Sequence, residues 1–261
     1  MHKIKQEWVY FCTALMFFTR IPIPFQLPYS EQIMNASQKY YAWVGLVVGT
    51  AGAIIFGCAQ FAFGMPIAIL LSMGATVLLT GAFHEDGFTD VCDSFGGGYG
   101  KEKIMHIMKD SRIGAYGGIG IVLLLLLKFY TLLELTALTT VWQWISIYIY
   151  AHSSSRFVSG TAIYTHQYVR DIDSSKSKPM ASQSLRFSAL WIGFLGLLIP
   201  VVIVQDWKLL LVLPLAYVSK MLLCAYFKKH IGGYTGDCLG TIQQVSELVI
   251  YLSAVILWKF I

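Results

Sequence analysis

The chain has 261 residues, of which 56% are hydrophobic and only 13% are charged, and its mean hydropathy is +0.63. Soluble globular proteins carry about 25% charged residues, so this composition excludes an ordinary soluble domain and predicts a polytopic helical membrane protein. The net charge of +5 comes from basic residues that are spread among the loops, which argues against a nucleic-acid partner. We expect residues 1–261 to form a single integral membrane domain.

The first apolar segment, Trp8–Phe18, is too short to span a bilayer, which takes about 20 residues. Because Pro22 and Pro24 follow it, we predict a short N-terminal interfacial or re-entrant helix. Later apolar segments predict about seven spans: Tyr40–Phe63, Pro66–Phe83, Gly114–Leu135, Thr139–Ile163, Ser188–Val204, Leu209–Phe227 and Val245–Ile261. The predicted fold class is therefore an all-α bundle of transmembrane helices.

The basic residues predict the orientation of the bundle. With seven spans, the N-terminus and the loops after the second, fourth and sixth spans share one side, and the opposite loops offer little beyond Lys208. The basic residues of the first side are Lys3, Lys5, Arg20, Lys39, Lys101, Lys103, Lys109, Arg112, Arg170, Lys176, Lys178, Arg186, Lys228 and Lys229. By the positive-inside rule, this side faces the cytoplasm.

The segment His84–Asp93 places four carboxylates within ten residues, without a Lys or Arg, directly after the second predicted span. If it is helical, Asp86, Asp90 and Asp93 fall at i, i+4 and i+7 and share one face. Three like charges on one face repel unless a cation lies between them, and hard cations such as Mg²⁺ favour carboxylate oxygens. We predict a divalent-metal site at the membrane–water boundary. The alternative is a solvated acidic loop that starts a helix.

A glycine run, which includes Gly97 and Gly98, follows the acidic segment. Glycine lets a backbone approach a ligand closely and expose N–H groups to phosphate, so the run is either a phosphate-binding loop or a hinge. Most of the segment that follows has the pattern of an amphipathic interfacial helix. Its end brings Lys109 and Arg112 to the mouth of the next span, where both are candidate phosphate-binding residues.

Two more polar positions interrupt apolar surroundings. Asp237 follows three glycines between the last two spans, and it is either a helix N-cap or a residue of the site. Arg156 lies in a polar stretch of the fourth span, where it either pairs with an acid such as Asp93 or binds a ligand phosphate. Carboxylates, glycine-rich loops and basic side chains at one membrane face suit phosphoryl transfer, in which a protein mainly positions groups and neutralises charge.

Five segments resemble, in their order and spacing, the motifs of the cobalamin synthase family of adenosylcobinamide-GDP ribazoletransferases. They are Phe17–Pro22, Tyr40–Gly45, Asp86–Asp93, Ile107–Gly114 and Gly232–Gly240. The third is similar to the D-G-x-x-D-x-x-D core of that family, and the last to its G-G-x-T-G-D-x-x-G signature.

The resemblance implies a Mg²⁺-dependent enzyme of the bacterial cytoplasmic (inner) membrane, with its active site facing the cytoplasm. It implies that adenosylcobinamide-GDP is joined to α-ribazole, or to its 5′-phosphate, with release of GMP. Asp86, Asp90 and Asp93 would be catalytic and would hold Mg²⁺. The further candidates are Asp110 and Asp237 as metal ligands, and Lys109, Arg112, Arg156, Gly97 and Gly98 as residues that bind the substrate. The general base is not identified, and Asp93 and His84 are candidates for it.

Two other functions fit parts of the pattern. A CDP-alcohol phosphotransferase has a D-G-x-x-D-type motif, but Asp90 stands where those enzymes usually have Ala-Arg. A cation transporter would carry carboxylates near the centre of several spans, and apart from Glu247 the spans other than the second and third lack them. Membrane lipid is the expected surrounding of the spans, and the sequence is compatible with a homo-oligomer.

Overall fold

The computed structural model describes residues 2–169 and 188–261. Within these ranges the secondary structure consists of helices joined by loops, without a β-sheet. Its α-helices are α1 (His2–Phe18), α2 (Glu31–Ser37), α3 (Tyr41–Phe63), α4 (Met65–Thr80), α5 (Phe83–Gly97), α6 (Lys101–Ile107), α7 (Ala115–Leu138), α8 (Val141–Gly160), α9 (Ala162–Thr165), α10 (Ser188–Val204), α11 (Leu213–Ile231) and α12 (Gly236–Phe260). Short 3₁₀ helices, Gln38–Tyr40 and Trp207–Val212, precede α3 and α11. The predicted all-α polytopic bundle is confirmed.

Four continuous helical segments are long and apolar enough to cross a membrane: Glu31–Phe63, Ala115–Leu138, Trp207–Ile231 and Gly236–Phe260. The bent pair of α4 and α5 is a fifth candidate if it counts as one span. Two of the seven predicted spans coincide with helices outside this set. They are α8, which carries many polar residues, and α10, which is short. The count of seven spans therefore stays a prediction.

The outer surface of the bundle is apolar. On α7, Ile119, Val122, Leu123 and Leu126 are each about half exposed or more. Soluble monomers rarely expose such a contiguous apolar face, whereas a transmembrane helix exposes apolar side chains to the lipid. This surface agrees with a multi-pass membrane protein.

Helix α8 is polar because it lies inside the bundle. Its side chains from Tyr150 to Arg156 are buried, including three consecutive serines. Glycines let α3 approach it closely, since a Cβ at Gly45 would lie 2.7 Å from Ser153 Cα and one at Gly49 would lie 2.9 Å from Ile149 Cα. A hydropathy criterion fails on such a helix because its polar groups bond within the protein and do not face lipid.

The N-terminal helix is longer than the apolar segment that predicts it. Helix α1 begins at His2 and ends at Phe18, before Pro22, as expected. It packs on the start of α3: the Phe18 and Tyr41 rings stack with centroids 4.3 Å apart, and Glu7 accepts a 2.9 Å hydrogen bond from Lys39.

A sharp bend separates α4 from α5, whose axes meet at 88°. Gly81 (φ 67°) and Ala82 (φ 58°) are both left-handed there, a conformation that costs free energy for alanine. The N-terminal segment closes over the bend. The backbone N–H of Arg20 donates to Leu79 O at 2.7 Å, and its guanidinium lies so close that a Cβ at Gly81 would be 2.5 Å from Nε. Because of this bend, the acidic segment in α5 runs nearly perpendicular to α4.

Candidate active site

The acidic segment is a helix, which excludes the loop interpretation. Asp86, Asp90 and Asp93 all lie within α5, so their spacing puts them on one side of it, which we name the acidic face. Asp86 is exposed, and Asp90 and Asp93 are half-buried. The residues of α5 that pack inward include His84 and Gly87.

Helix α5 packs closely against the start of α12. A Cβ at Gly87 would lie 3.0 Å from Asp237 Cα, and one at Gly240 would lie 3.1 Å from His84 O. Thr241 Oγ1 donates to Gly87 O at 3.3 Å. Gly87 stands between Asp86 and Asp90 on the turn of α5, so the backbone of Asp237 lies beside the acidic face. The two predicted acidic motifs meet here.

Asp93 holds the beginning of α7. Its Oδ2 accepts a 2.7 Å hydrogen bond from Gly114 N, and its Oδ1 accepts a 2.8 Å bond from Gly117 N. The N-cap residue of α7 is Gly114, which has no side chain to accept these bonds, so Asp93 replaces it from another helix. The positive end of the α7 dipole also favours a carboxylate at this place.

The loop after α6 lies against the loop before α12. Thr235 Oγ1 is 3.3 Å from the sulfur of the buried Met108, so Lys109 follows directly beside the start of α12. Lys109 is exposed at the surface. Three motifs from distant parts of the sequence therefore converge at one end of the bundle.

Asp110 and Arg112 form an exposed ion pair. Arg112 Nη2 is 2.6 Å from Asp110 Oδ2, and Arg112 Nε donates to the same carboxylate at 3.1 Å. These hydrogen bonds from Arg112 lower the pKa of Asp110 to about 2. The predicted metal ligand and the predicted phosphate-binding residue thus engage each other in this structure.

The glycine run is divided between a helix and its cap. Gly97 is the last residue of α5, and the N–H of Gly98 donates to Ser94 O at 3.0 Å. A Cβ at Gly98 would lie 2.6 Å from Ser94 O, so only glycine fits there. Because the Gly98 N–H already has a partner, the geometry favours the hinge over the phosphate-binding loop.

His84, a candidate general base, is buried. Only 1% of its surface is exposed, and its Nε2 is 2.7 Å from Tyr41 Oη. A base must lie within hydrogen-bond reach of the substrate proton, so this position argues against His84.

A second group of polar side chains lies inside the bundle, and we name it the inner polar network. It consists of Glu85, Lys128, His152, Arg156, Gln243, Gln244 and Glu247. Lys128 Nζ is 2.8 Å from Glu247 Oε1 and donates to Gln244 Oε1 at 2.6 Å. Gln243 Nε2 donates to Glu247 Oε2 at 2.6 Å. Lys128 and Glu247 are both about 5% exposed, so the ion pair is fully inside the protein.

Arg156 belongs to this network and not to the acidic face. Its Nη1 donates to His152 O at 2.9 Å and lies 3.3 Å from His152 Nδ1. Asp93 is not its partner, since both Asp93 oxygens are bonded to α7. Arg156 is 2% exposed, so a substrate phosphate could reach it only through a cavity.

Sequence reasoning missed most of the inner polar network. The available signal was Lys128, which directly follows the apolar run Ile121–Leu127, together with Glu247 in the last span. Two opposite charges inside predicted spans indicate a buried pair. The glutamines and His152 carried no such signal, because neutral polar residues are ordinary in α-helices.

The predicted metal ligands are not gathered into one cluster. Within residues 2–169 and 188–261, no group of three or more His, Cys, Asp or Glu side chains is close enough to hold a metal ion. The acidic face, Asp237 and Asp110 are neighbours through the packing of their helices and loops.

An acidic helix and two loops gathered at one end of an apolar bundle define a polytopic membrane protein with a site at its surface. The chain belongs to the CobS family, described as cobalamin-5-phosphate synthase, whose model matches residues 10–255. This confirms the predicted family.

Several relatives named adenosylcobinamide-GDP ribazoletransferase are similar over nearly their whole length. The protein of Shewanella amazonensis is 42% identical over 99% of this chain and 99% of its own. That of Vibrio parahaemolyticus is 40% identical over 98% and 95%, and that of Leptospira interrogans is 39% identical over 100% of both. No solved structure matches the chain.

Proposed function

We infer that the chain catalyses the final transfer of cobalamin biosynthesis, in which adenosylcobinamide-GDP is joined to a ribazole acceptor. The near full-length similarity to ribazoletransferases is the observation that carries this function. The family description names a cobalamin 5-phosphate as product, which supports α-ribazole 5′-phosphate as the acceptor.

The reaction is a phosphoryl transfer. A ribose hydroxyl of the acceptor attacks the cobinamide-linked phosphorus, a new P–O bond forms, and the bond to the GMP oxygen breaks. GMP leaves with the bonding electron pair, and the hydroxyl proton passes to a base. The chain must therefore bind a diphosphate, orient the hydroxyl and stabilise negative charge.

The acidic face and Asp237 fit a Mg²⁺ ion by their chemistry. Asp86, Asp90 and Asp237 offer carboxylate oxygens only, on neighbouring helices at the surface, and such ligands suit a hard cation. We propose that these three residues hold Mg²⁺, which requires their carboxylates to approach one another more closely than they do in this structure. A bound Mg²⁺ neutralises charge on the diphosphate and on the leaving phosphate. Asp93 and Asp110 remain candidate ligands that already bind Gly114, Gly117 and Arg112.

The residues around the acidic face have distinct tasks in this proposal. Asp93 fixes the start of α7 against α5. Lys109 is an exposed cation beside Asp237, placed to attract the anionic donor. Arg112 would bind a phosphate by giving up its contact with Asp110, since a guanidinium binds phosphate and carboxylate oxygens with the same geometry. We keep Gly97, Gly98 and Arg156 as weaker candidates, because the hydrogen bonds described above already engage Gly98 and Arg156.

We propose that the site faces the cytoplasm of the bacterial inner membrane. Lys101, Lys103 and Arg112 lie at the end of the bundle where the motifs meet. At the opposite end are Lys208, which lies 5.7 Å from the Trp258 ring centroid, and Lys259 in the last turn of α12. The positive-inside rule assigns the more basic end to the cytoplasm. The other predicted basic residues Arg170, Lys176, Lys178 and Arg186 lie outside the described residues.

The test is a transfer assay with purified protein. GMP release and cobalamin phosphate formation are measured from adenosylcobinamide-GDP and α-ribazole 5′-phosphate, with Mg²⁺ or EDTA. Wild type is compared with Asp90→Asn and with the control Asp206→Asn, a change at the far end of the bundle that keeps a capping side chain. We expect activity to require Mg²⁺ and to fall on the order of 10²–10³-fold in Asp90→Asn only.

The same assay separates the alternatives. If a folded wild-type protein transfers nothing to either form of the acceptor, the proposed function is wrong. Turnover of CDP-linked substrates would then indicate a CDP-alcohol phosphotransferase, and cation flux without nucleotide would indicate a transporter. Full activity of Asp90→Asn would retain the function and exclude the acidic face as the metal site.

A further inference from the structure

We propose that Glu85 is a positioning residue that ties α5 to the inner polar network and thereby fixes the acidic face. The proposal rests on the proposed function of the acidic face. Glu85 precedes Asp86 in the sequence, but successive residues of a helix point about 100° apart, and Glu85 points inward. Its Oε1 accepts a 2.9 Å hydrogen bond from Gln244 Nε2 of α12.

Gln244 can make this bond because Lys128 fixes its orientation. The amide oxygen accepts from Lys128 Nζ at 2.6 Å, so the amide nitrogen points the other way, toward Glu85. The same nitrogen also donates to Gln243 Oε1 at 2.9 Å. Lys128 is anchored in turn by its ion pair with Glu247. A continuous chain of charge-assisted hydrogen bonds thus joins α7 and α12 to α5.

Helix α5 needs such a link because its own connection to α4 is strained. It begins after two left-handed residues, Gly81 and Ala82, and it makes a right-angled turn from α4. Near its other end, Asp93 bonds to α7. Glu85 is in the first turn of α5, so the two carboxylates secure opposite ends of the helix. Asp86 and Asp90 lie between these two anchor points.

The second oxygen of Glu85 faces a small cavity. Glu85 Oε2 is buried without a partner, and so are the hydroxyl oxygens of Tyr148 and Tyr251 and the Nε of Arg156. All four residues line one cavity of about 20 Å³, which is room for a water molecule. Donors and an acceptor around one space suit water, which can both donate and accept. A water molecule in this cavity would give Glu85 Oε2 a partner, and the link to Gln244 uses only Oε1, which can accept a hydrogen bond with or without the negative charge.

A glutamine side chain at position 85 can therefore make the same hydrogen bond to Gln244 as the Glu85 carboxylate does. In Glu85→Gln, the oxygen can still accept from Gln244 and the new NH₂ group can donate to water. A catalytic carboxylate or a metal ligand would not survive that change. Glu85→Leu and Gln244→Leu break the link from either side. Gln243→Leu is the matched control, because Gln243 is equally buried and bonds to Ser155, Glu247 and Gln244, while its side chain makes no hydrogen bond to α5.

The experiment measures kcat, the KM for both substrates and the thermal unfolding temperature for these four variants. We expect Glu85→Gln to stay within about threefold of wild type. We expect kcat to fall on the order of 10- to 100-fold in Glu85→Leu and Gln244→Leu, since an ångström-scale displacement of reacting groups has that effect. The KM values should change less than kcat. Gln243→Leu should lower the unfolding temperature as Gln244→Leu does, with kcat close to wild type.

Three results would overturn the proposal. Wild-type kcat in folded Gln244→Leu would show that the link does not position the acidic face. An equal loss of kcat in Gln243→Leu and Gln244→Leu would show that the network supports the fold as a whole. An inactive Glu85→Gln would place Glu85 at the reacting atoms. Asp90→Asn is assayed in parallel: its full activity would refute the acidic site itself, and its inactivity beside an active Gln244→Leu refutes only the positioning role.

Discussion

The acidic face of α5 and the inner polar network use the same residue types in opposite ways. The acidic face places Asp86, Asp90 and Asp93 along a surface helix that carries no Lys or Arg. In the inner polar network, Glu247 meets Lys128 at 2.8 Å and His152 at 3.3 Å, within the membrane-spanning core. Carboxylates gathered on one surface face offer charge to a ligand, whereas buried carboxylates must be neutralised by the protein. The difference supports the proposal that the acidic face carries the chemistry and that the inner polar network supports the fold.

The largest expected effect is on the inner polar network. Lys128→Met leaves Glu247 buried without its cation, which we expect to lower the free energy of unfolding by about 3–5 kcal/mol. The double variant Lys128→Met/Glu247→Leu removes both charges and should recover most of that loss. The measurement is thermal or denaturant unfolding in detergent. A double variant as unstable as the single one would show that the ion pair itself stabilises the fold.

The next effect concerns the contact that joins α5 to α12. Gly87→Ala places a Cβ 3.0 Å from Asp237 Cα, which forces the two backbones apart. We expect a loss of about 1–3 kcal/mol in the free energy of unfolding, together with reduced GMP release, because Asp237 moves away from the acidic face. Gly74→Ala is the control, since that Cβ meets no atom within 4 Å. Equal behaviour of the two variants would exclude close packing as a requirement of the site.

A smaller effect distinguishes Asp93 from the other two carboxylates of the acidic face. Asp93→Ala removes the acceptor of the Gly114 and Gly117 N–H groups, and loss of a helix cap costs about 1 kcal/mol. Asp93→Asn keeps one of the two acceptor oxygens and turns its NH₂ toward the other N–H group, so it should lose less stability and activity than Asp93→Ala. If Asp93→Asn is as inactive as Asp90→Asn, then Asp93 is a metal ligand or the base, and its role as a cap is secondary.

The sequence predicted the fold class and the acidic face of α5. The apolar segments predicted the long helices of the described residues, because lipid requires long apolar stretches. They did not predict the short helices α2 and α9. The i, i+4, i+7 spacing predicted the acidic face, because that periodicity is local. The order and spacing of the motifs resembled those of one family, and this resemblance predicted that Asp237 and Lys109 belong to the same site as the acidic face.

The inner polar network and the bend before α5 could be found only in the three-dimensional structure. The link from Glu85 to Gln244 spans 159 positions of the sequence, and glutamine carries no signature of its partner. The 88° bend depends on Ala82 in a left-handed conformation, which its residue type disfavours. The bond from Asp93 to α7 was hidden because the same residue fits the metal-binding pattern equally well. Long-range partners and strained backbone are set by packing, which local patterns do not record.

The most direct test of the account compares Asp86→Asn with wild type in the transfer assay, at equal amounts of folded protein. Asp86 is exposed on α5, so this change removes a charge from the acidic face without altering the buried side of the helix. We expect GMP release to fall by at least about 100-fold, with an unfolding temperature close to that of wild type. An unchanged rate of GMP release would contradict the proposed role of the acidic face.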